Sequence, residues 1–261
     1  MAQLLDPRER SARGAAIQAE VTGLPAPIPA SPLEESVRDF VHAEVWSRPG
    51  LDRRARYCIS IAGCAMTGTA PETLDLYVRG ALGSGALSHS ELREAALHMA
   101  VYGGWGCGEL IDKAVSRAAH SLGLPPADCP PIRAAAWDPE LRTAEGAANF
   151  VKVMTFPGSP SISPYLEAIN NFVFGEMWCR PGLDQRARRF MTLVGVAQSS
   201  TEIPIKSHFH SAMASGNCTA AELHEFVLHY GLHAGWPKAS LVQGIVIEMA
   251  KKVEDGLPWS G

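Results

Sequence analysis

The chain lacks the features that mark membrane, secreted and nucleic-acid-binding proteins. No apolar run in the sequence reaches the roughly 18 residues that a membrane span needs. The first residues, MAQLLDPRERSARG, are polar and mixed in charge, so they contain no apolar core of a signal peptide. The net charge is only −4, and the 23 basic residues are scattered. We therefore expect a cytoplasmic protein whose partners include neither a membrane nor a nucleic acid.

Several motifs for metals, cofactors and redox chemistry are missing as well. The chain has six cysteines but no C-x-x-C pair, which favours packed or incidental thiols over structural disulfides or a zinc site. H-E-x-x-H, a 2-His-1-carboxylate spacing, a Gly-rich phosphate loop and G-x-S-x-G are all absent. Nothing in the sequence therefore specifies a metal or a cofactor, and we predict none.

What the sequence does contain is a long repeat. Residues 45–57 read VWSRPGLDRRARY and residues 177–189 read MWCRPGLDQRARR, an offset of 132 that falls to 131 later in each copy. With 46% hydrophobic residues, a chain of 261 can bury a sizeable core. We predict two related domains at 8–122 and 139–255, joined by a linker at 123–138.

The spacing of apolar residues is helical almost throughout, and alternating strand patterns are absent. The predicted fold class is therefore all-α. The fourth helix of each copy opens with a capping box, Ser88-x-x-Glu91 or Thr219-x-x-Glu222, and Asp52 is placed to cap the second helix. The other predicted helices are at about 33–46, 53–66, 73–82, 107–121 and 238–252.

A stripe of polar residues runs along this fourth helix at i, i+4 and i+8. Its members are Glu94, His98 and Tyr102 in the first copy and Glu225, His229 and His233 in the second. That spacing keeps the three groups on one face of the helix. A carboxylate one turn before an imidazole can orient the ring and raise its pKa, as a proton donor near neutral pH requires. The alternative is a solvated polar face with ordinary i,i+4 pairing.

Two histidines on the third helix of the second copy stand apart from the repeat. His208 and His210 occupy positions at which the first copy has Tyr77 and Arg79. A lone helical histidine is more often structural than catalytic. The asymmetry indicates that the two copies differ in catalytic competence.

The arginine of the repeated R-P-G-L-D segment also has two interpretations. Arg48 or Arg180 can cap the end of the preceding helix, or Arg48 can pair with Asp52 across the turn. In the functional interpretation, a guanidinium beside Trp46 binds a carboxylate or an enolate oxygen. The clear turn roles of the neighbouring Pro, Gly and Asp favour the structural interpretation.

Together these motifs resemble the γ-carboxymuconolactone decarboxylase family, whose relatives include AhpD-like alkylhydroperoxidases. The resemblance rests on W-x-R-P-G-L-D-x-R-x-R and the apolar helix after it, on H-x-x-A-x-x-x-G from His208 to Gly216, on E-L-x-E-x-x-x-H, and on G-W-P at 235–237. It covers nearly the whole chain apart from the linker and the ends. It implies all-helical, AhpD-like units that assemble into rings, so a tandem pair would form a homotrimer with pockets between units.

The resemblance also implies a chemistry. It points to a cofactor-independent decarboxylase, or a related proton-transfer enzyme, that acts on a small carboxylated lactone or similar acid in aromatic catabolism. Such an enzyme stabilises an enolate oxygen, here through Arg48 or Arg180, and supplies a proton to carbon. The proton donors would be His208 or His229, oriented by Glu176 or Glu225, with His98, Glu44 and Glu94 as the candidates of the first copy. Trp46, Trp178, Tyr102 and His233 would complete the substrate site.

The chain departs from the family pattern at several positions. The first copy has Tyr77 where His is expected and Gly106 where Pro is expected, and the second copy has His233 where the family usually carries Tyr. These departures suggest one catalytic and one scaffolding copy, or a different substrate. An AhpD-like peroxidase is the alternative, disfavoured because Thr201 and Pro204 occupy the C-x-x-C positions. A non-catalytic ligand-binding or assembly protein is the alternative from another class.

Overall fold

A computed structural model describes residues 6–133, 136 and 138–260. Every regular element in these residues is a helix, which confirms the all-α class. The first half contains α1 (Pro7–Thr22), α2 (Pro32–Ser36, continued by the π-helix Val37–Trp46), α3 (Arg53–Thr67), α4 (Pro71–Gly83), α5 (His89–Gly103) and α6 (Trp105–Ser121). The second half contains α7 (Pro139–Met154), α8 (Pro164–Ala168, continued by the π-helix Ile169–Met177), α9 (Gln185–Ser199), α10 (Glu202–Ala214), α11 (Ala220–Ala234) and α12 (Trp236–Glu254). Within the described ranges, none of these helices combines the length and apolar character of a membrane span.

Local sequence explains where the helices of the site begin. Asp52 caps α3 and Asp184 caps α9, each by accepting a hydrogen bond of 2.8 Å from the amide three residues on. The predicted capping boxes at Ser88 and Thr219 are both formed, at the starts of α5 and α11. These caps satisfy amides of the first turn and fix the start of each helix that carries a polar stripe or its partners.

The long apolar helix of the first copy is buried, as its composition predicted. All residues from Ala55 to Ala65 of α3 are buried. α3 packs against α9 and α11 of the second half, and α9 packs against α5 of the first. Ile61, Met99 and Leu193 belong to one core cluster, which therefore draws on both halves. The predicted domain boundaries stay a prediction, but the two halves bury their apolar surfaces against each other.

Two features differ from the sequence-based expectation. No helix was predicted at α1 or α7, and both are helical. α1 crosses α2 at Gly14, where an added Cβ would lie 2.1 Å from the carbonyl oxygen of Arg38. This contact uses a glycine instead of an apolar stripe, so the apolar pattern does not reveal it. The final part of α2 and of α8 is π-helical, a geometry that no spacing rule for α-helices predicts.

The segment 123–138 contains no helix among its described residues, in keeping with the predicted linker, and positions 134, 135 and 137 lie outside those residues. The segment contacts both halves, and its contact with the first half includes a hydrogen bond of 2.9 Å between His89 Nδ1 and the Pro125 carbonyl. The carbonyl oxygens of Pro130 and Pro131 accept hydrogen bonds of 2.6 and 3.3 Å from Arg180. The Arg133 amide donates to Glu176 at 2.9 Å.

Candidate active site

Each of the two polar stripes forms hydrogen bonds with side chains from the other half of the chain. The stripe of α5 meets side chains of α9, and the stripe of α11 meets side chains of α3. The α5/α9 network consists of Glu94, His98, Tyr102, Trp178, Arg180, Arg188 and Thr192. The α3/α11 network consists of Arg48, Arg56, Ser60, Cys64, Glu225, His229 and His233. Each network is therefore built from both halves.

In the α5/α9 network, Arg180 is engaged by carboxylates. Its Nε and Nη2 donate to Glu94 at 2.8 and 2.7 Å, and its Nη1 donates to Glu176 at 3.2 Å. Glu176 is also paired with Arg142. The guanidinium of Arg180 is therefore not free for a substrate, and its position favours the structural interpretation.

Arg48 occupies the matching place in the α3/α11 network. Its Nε and Nη2 donate to Glu225 at 2.8 and 2.5 Å, so its partner is this glutamate and not the predicted Asp52. Arg56 adds a contact of 3.2 Å to the same carboxylate. The Arg48 side chain is 36% exposed, against 5% for Arg180. The two ion pairs thus share a geometry but differ in their access to solvent.

The expectation that the stripe glutamates orient the histidines and raise their pKa was wrong. Glu94 and Glu225 bind arginines instead, as described above. Burial lowers the pKa of His98 well below its ordinary value, and the charge of Arg188 lowers it further. Burial does the same to the pKa of His229. Both rings are therefore neutral at neutral pH.

Hydrogen bonds fix the tautomer of His98 in the α5/α9 network. Arg188 Nη1 lies 3.5 Å from His98 Nδ1, and because a guanidinium only donates, this nitrogen must accept. The proton then sits on Nε2, which donates to Thr192 Oγ1 at 2.8 Å. In the same network, the Tyr102 oxygen accepts a hydrogen bond from Trp178 Nε1 at 2.7 Å. The series of donors from Arg188 through His98 therefore ends at the Thr192 hydroxyl.

The same reasoning applies to the α3/α11 network. Arg56 Nη1 lies 3.3 Å from His229 Nδ1, so His229 Nε2 donates to Ser60 Oγ at 2.8 Å. Ser60 then donates to His233 Nε2 at 3.1 Å. The remaining proton of His233, on Nδ1, points to Cys64 Sγ at 3.6 Å. This second series ends at a buried thiol.

A cavity of about 680 Å³ lies beside the α5/α9 network. Tyr102 and His208 line one part of its wall, and aromatic side chains such as Phe150 and Phe174 line another. Among the described residues that form the wall, none is an aspartate, glutamate, lysine or arginine. Two smaller hollows lie elsewhere on the described residues, and neither is lined by a predicted site histidine. It can hold a small organic molecule.

His208 is a titratable group in the wall of this cavity. Its ring meets Tyr102 edge-on, with centroids 5.7 Å apart. Its Nδ1 is buried and has no hydrogen-bond partner among the described residues. Burial, with a contribution from the charge of Arg189, lowers the pKa of His208 to about 3. His210 differs, because its Nε2 donates to the Leu257 carbonyl at 2.9 Å, which suits a structural residue.

The remaining predicted site residues are distributed between the networks and the surface. Trp178 meets His98 edge-on at 5.0 Å, and Trp46 meets His229 at 4.9 Å. Glu44 has its ion-pair contact with Arg10 of α1, at 3.6 Å, and the structure does not bring it to either network. Its predicted catalytic role therefore has no geometric support.

Sequence reasoning missed the buried arginines of α3 and α9. Arg56, Arg188 and Arg189 are all fully buried, yet their positions in the first turn of a helix indicated a charged, solvated start. A usable signal was present, since the R-A-R of the repeated motif places Arg56 and Arg188 at equal positions in both copies.

Comparison with known proteins agrees with the motifs. Residues 32–107 match the model of the carboxymuconolactone decarboxylase family. The chain is 31% identical over 83 residues to 4-carboxymuconolactone decarboxylase of Acinetobacter baylyi, a match that covers 32% of this chain and 61% of that protein. It is 40% identical over 73 residues to nitrosuccinic acid decarboxylase of Metarhizium robertsii, which covers 28% of this chain and 50% of that protein.

These matches span between half and two thirds of the length of the two curated relatives. The segment that matches the family model contains Trp46, the arginine motif and the stripe of α5. Residues 32–107 of this chain are therefore similar in sequence to the carboxymuconolactone decarboxylase family.

Proposed function

We propose that the chain is a cofactor-independent decarboxylase that acts on a small organic acid in the cavity beside Tyr102 and His208. The observation that carries the proposal is the cavity itself, whose apolar wall has a phenol and a neutral imidazole at one end. Both relatives named above are decarboxylases by name, which supports the reaction class. The names denote di-acids that carry a lactone or a nitro group, and we propose an acid of this kind.

The apolar wall suits the loss of carbon dioxide. The C–C bond to the carboxylate breaks, its electron pair stays on the remaining carbon, and a lactone carbonyl or a nitro group delocalises that pair. A carboxylate that lies against Phe150 and Phe174 is less well solvated than in water. The charge of the transition state is dispersed, so the transition state loses less solvation free energy than the bound carboxylate does. The absence of a lysine or arginine among the described wall residues fits this scheme, since a clamp on the departing carboxylate would stabilise the ground state.

Tyr102 is placed to stabilise the negative charge that develops on oxygen. Its own oxygen accepts a hydrogen bond from Trp178, which leaves the phenolic proton for a ligand in the cavity. Because donors in series polarise one another, the interactions behind Tyr102 strengthen its hydrogen bond to an oxyanion.

His208 supplies the proton that the reaction consumes. The imidazole is neutral in the empty cavity. A bound anion raises its pKa, because an opposite charge nearby favours the imidazolium. His208 therefore takes up a proton as the acid binds and transfers it to the carbanion carbon after carbon dioxide has left.

The test is release of carbon dioxide from 4-carboxymuconolactone and from nitrosuccinate by the purified protein, with and without a chelator. We expect turnover of at least one acid, unaffected by the chelator. His208→Gln should lower kcat by about 10²-fold or more, which is typical for loss of a general acid. His224→Gln is the matched control, since this histidine is exposed on α11 and pairs with Gln243. Full activity in the His208→Gln variant, or no turnover of either acid, would contradict the proposal.

A thiol peroxidase receives less support from the cysteines. Cys58 and Cys64 are buried, and burial raises the pKa of each thiol to about 12. The reactive thiolate is therefore scarce at neutral pH. Alkylation of the folded protein should leave both thiols unmodified.

A further inference from the structure

Arg189 is a buried positive charge whose contacts among the described residues are all to neutral groups. Its side chain is 0% exposed. Its Nη2 donates to the Val153 carbonyl at 2.6 Å, and its Nε lies 3.4 Å from Asn217 Oδ1. Its Nη1 is buried and has no hydrogen-bond partner within the described ranges. The guanidinium carbon lies 5.1 Å from the centre of the Trp178 ring.

This arrangement is unusual because buried charges are normally paired. Burial lowers the pKa of Arg189 to about 10, which still leaves the guanidinium charged at neutral pH. The fold therefore keeps a cation in its interior without a carboxylate beside it. The Nη1 group of Arg189 also has no hydrogen-bond acceptor among the residues that the structure describes.

The first half of the chain shows that the fold does not need this charge. Tyr57 occupies the position that matches Arg189, and its hydroxyl donates to the Val21 carbonyl at 2.8 Å. Val21 is the counterpart of Val153 in the repeat. Tyr57 also packs edge-on against Trp46, at 5.1 Å between ring centres, as Arg189 packs on Trp178. A neutral side chain thus makes the same anchor, so the positive charge serves another purpose.

Arg189 contacts residues that adjoin the polar end of the cavity. Met154, which follows the carbonyl that Arg189 binds, is part of the cavity wall. Trp178, on which the guanidinium packs, donates to Tyr102 of the same wall. The charge of Arg189 also contributes to lowering the pKa of His208, another residue of the wall. No described wall residue carries a negative charge that could neutralise it.

The same two positions distinguish the halves. His208 and Arg189 together correspond to Tyr77 and Tyr57 in the first half. There, the Tyr77 ring stacks on Trp46, with centroids 5.5 Å apart and an interplanar angle of 19°. The charge and the imidazole therefore occur together in the half that has the cavity described above.

We propose that Arg189 is the fixed counter-charge of an anion site at the Tyr102 and His208 end of the cavity, and that the ligands of this site are organic carboxylates. The inference rests on the proposed function in that it assigns the ligand to the same cavity. It adds an orientation to the reaction. A retained carboxylate, or the oxyanion formed after bond cleavage, lies at the Arg189 end, and the departing carboxylate lies against the aromatic wall.

The charge acts through one layer of side chains, which sets the size of its effect. Two unit charges roughly 7 Å apart at an effective dielectric constant of about 20 correspond to a change in affinity of about 50-fold. Removing the charge should therefore weaken carboxylate binding by about 10- to 100-fold and leave a neutral ligand unaffected.

The experiment measures binding of succinate and of succinamide by calorimetry. Succinate has no group that could accept an electron pair, so it binds without reacting, and succinamide is its neutral counterpart. The test variant is Arg189→Tyr, which keeps the anchor that Tyr57 demonstrates and removes the charge. Tyr57→Phe is the matched control, because it removes the corresponding anchor in the other half.

We expect succinate to bind the parent and Tyr57→Phe alike, and Arg189→Tyr about 10- to 100-fold more weakly. Equal succinate affinity in the parent and Arg189→Tyr, or no succinate binding by the parent, would overturn the inference. Should Arg189→Tyr not fold, the parent supplies a second readout. The ¹⁵N resonances of the Arg189 guanidinium should shift with succinate and not with succinamide, and an unchanged spectrum would equally overturn the inference.

These outcomes separate the inference from the proposed function. Charge-dependent binding of succinate without release of carbon dioxide from any tested acid would leave the anion site intact and contradict the decarboxylase. Decarboxylation that proceeds unchanged in Arg189→Tyr would support the decarboxylase and contradict the anion site.

Discussion

Buried histidines dominate the chemistry of single residues in this protein. Burial, with a further effect of Arg53, lowers the pKa of His42 to about 4, and burial lowers that of His208 to about 3. His98 and His229 lie well below their ordinary value for the same main reason. In an unfolded chain these rings titrate near 6.5. Between about pH 6.5 and 4 the unfolded state therefore binds more protons than the folded state, and the free energy of unfolding falls as the pH falls.

His208→Gln should weaken this pH dependence. Between pH 7 and pH 5 one neutral buried histidine removes about 2 kcal/mol from the free energy of unfolding. We expect the difference between these two pH values, measured by urea denaturation, to shrink by about that amount in the variant. The exposed His224 provides the control, and His224→Gln should retain the parent's difference. An unchanged difference in His208→Gln would mean that the ring is charged in the folded protein.

The two equivalent ion pairs offer a matched comparison of burial. Glu94→Gln removes the main carboxylate partner of Arg180, whose side chain is 5% exposed. Glu225→Gln removes the carboxylate partner of Arg48, whose side chain is 36% exposed. Breaking a buried pair costs about 3–5 kcal/mol, while an exposed pair is worth about 1 kcal/mol or less. Glu225 also serves the buried Arg56, so we expect Glu225→Gln to lie between these limits. Equal shifts of the urea midpoint in both variants would show that burial does not decide the cost.

At this scale the sequence revealed the stripe residues but not their partners. The i, i+4 spacing placed Glu94 and His98 on one face of α5. Their partners Arg180 and Thr192 lie in the other half of the chain, 86 and 94 positions away. No local pattern reports such a contact, and for that reason the pKa of the histidines was predicted in the wrong direction.

Helices were the most predictable elements, because capping and apolar spacing are local properties. The starts of α3, α5 and α11 follow from Asp52, Ser88 and Thr219, whose side chains accept from nearby amides. α1 was not predicted, since it packs through Gly14 and not through an apolar stripe. The π-helical part of α2 depends on backbone hydrogen bonds that side-chain periodicity does not encode.

Helix crossings supply the prediction at the element scale. An added Cβ at Gly195 of α9 would lie 2.8 Å from the Tyr102 Cβ of α5, and one at Gly244 of α12 would meet nothing within 4 Å. Gly195→Ala should therefore destabilise the protein by about 1–3 kcal/mol through overpacking. Gly244→Ala should stabilise it by up to about 1 kcal/mol, because alanine favours a helix interior. Thermal melts of the two variants should shift in opposite directions, and a shared direction would contradict the close crossing at Gly195.

The whole molecule is held together by a core to which both halves contribute. α3 packs on α9 and α11, and α9 packs on α5, so these contacts join the two halves. The repeat was visible in the sequence, but a repeat does not reveal whether its copies fold side by side or into each other. The domain boundaries, the homotrimer and the cytoplasmic location remain predictions.

A shared core predicts a single cooperative unfolding transition. Tryptophan fluorescence, which includes Trp46 and Trp178 from the two halves, should follow the same urea curve as far-UV circular dichroism. Residues 139–260 expressed alone should fail to fold, since α9 would expose the surface that α3 and α5 cover. Two separate transitions, or a stable isolated half, would contradict the shared core.

Because each stripe packs against the other half, one scaffold holds two similar networks, and the side chains at the two ends differ. Arg189 and His208 equip one end, and Tyr57 and Tyr77 fill the matching places at the other. The double substitution Tyr57→Arg and Tyr77→His would therefore give both ends the same pair of side chains.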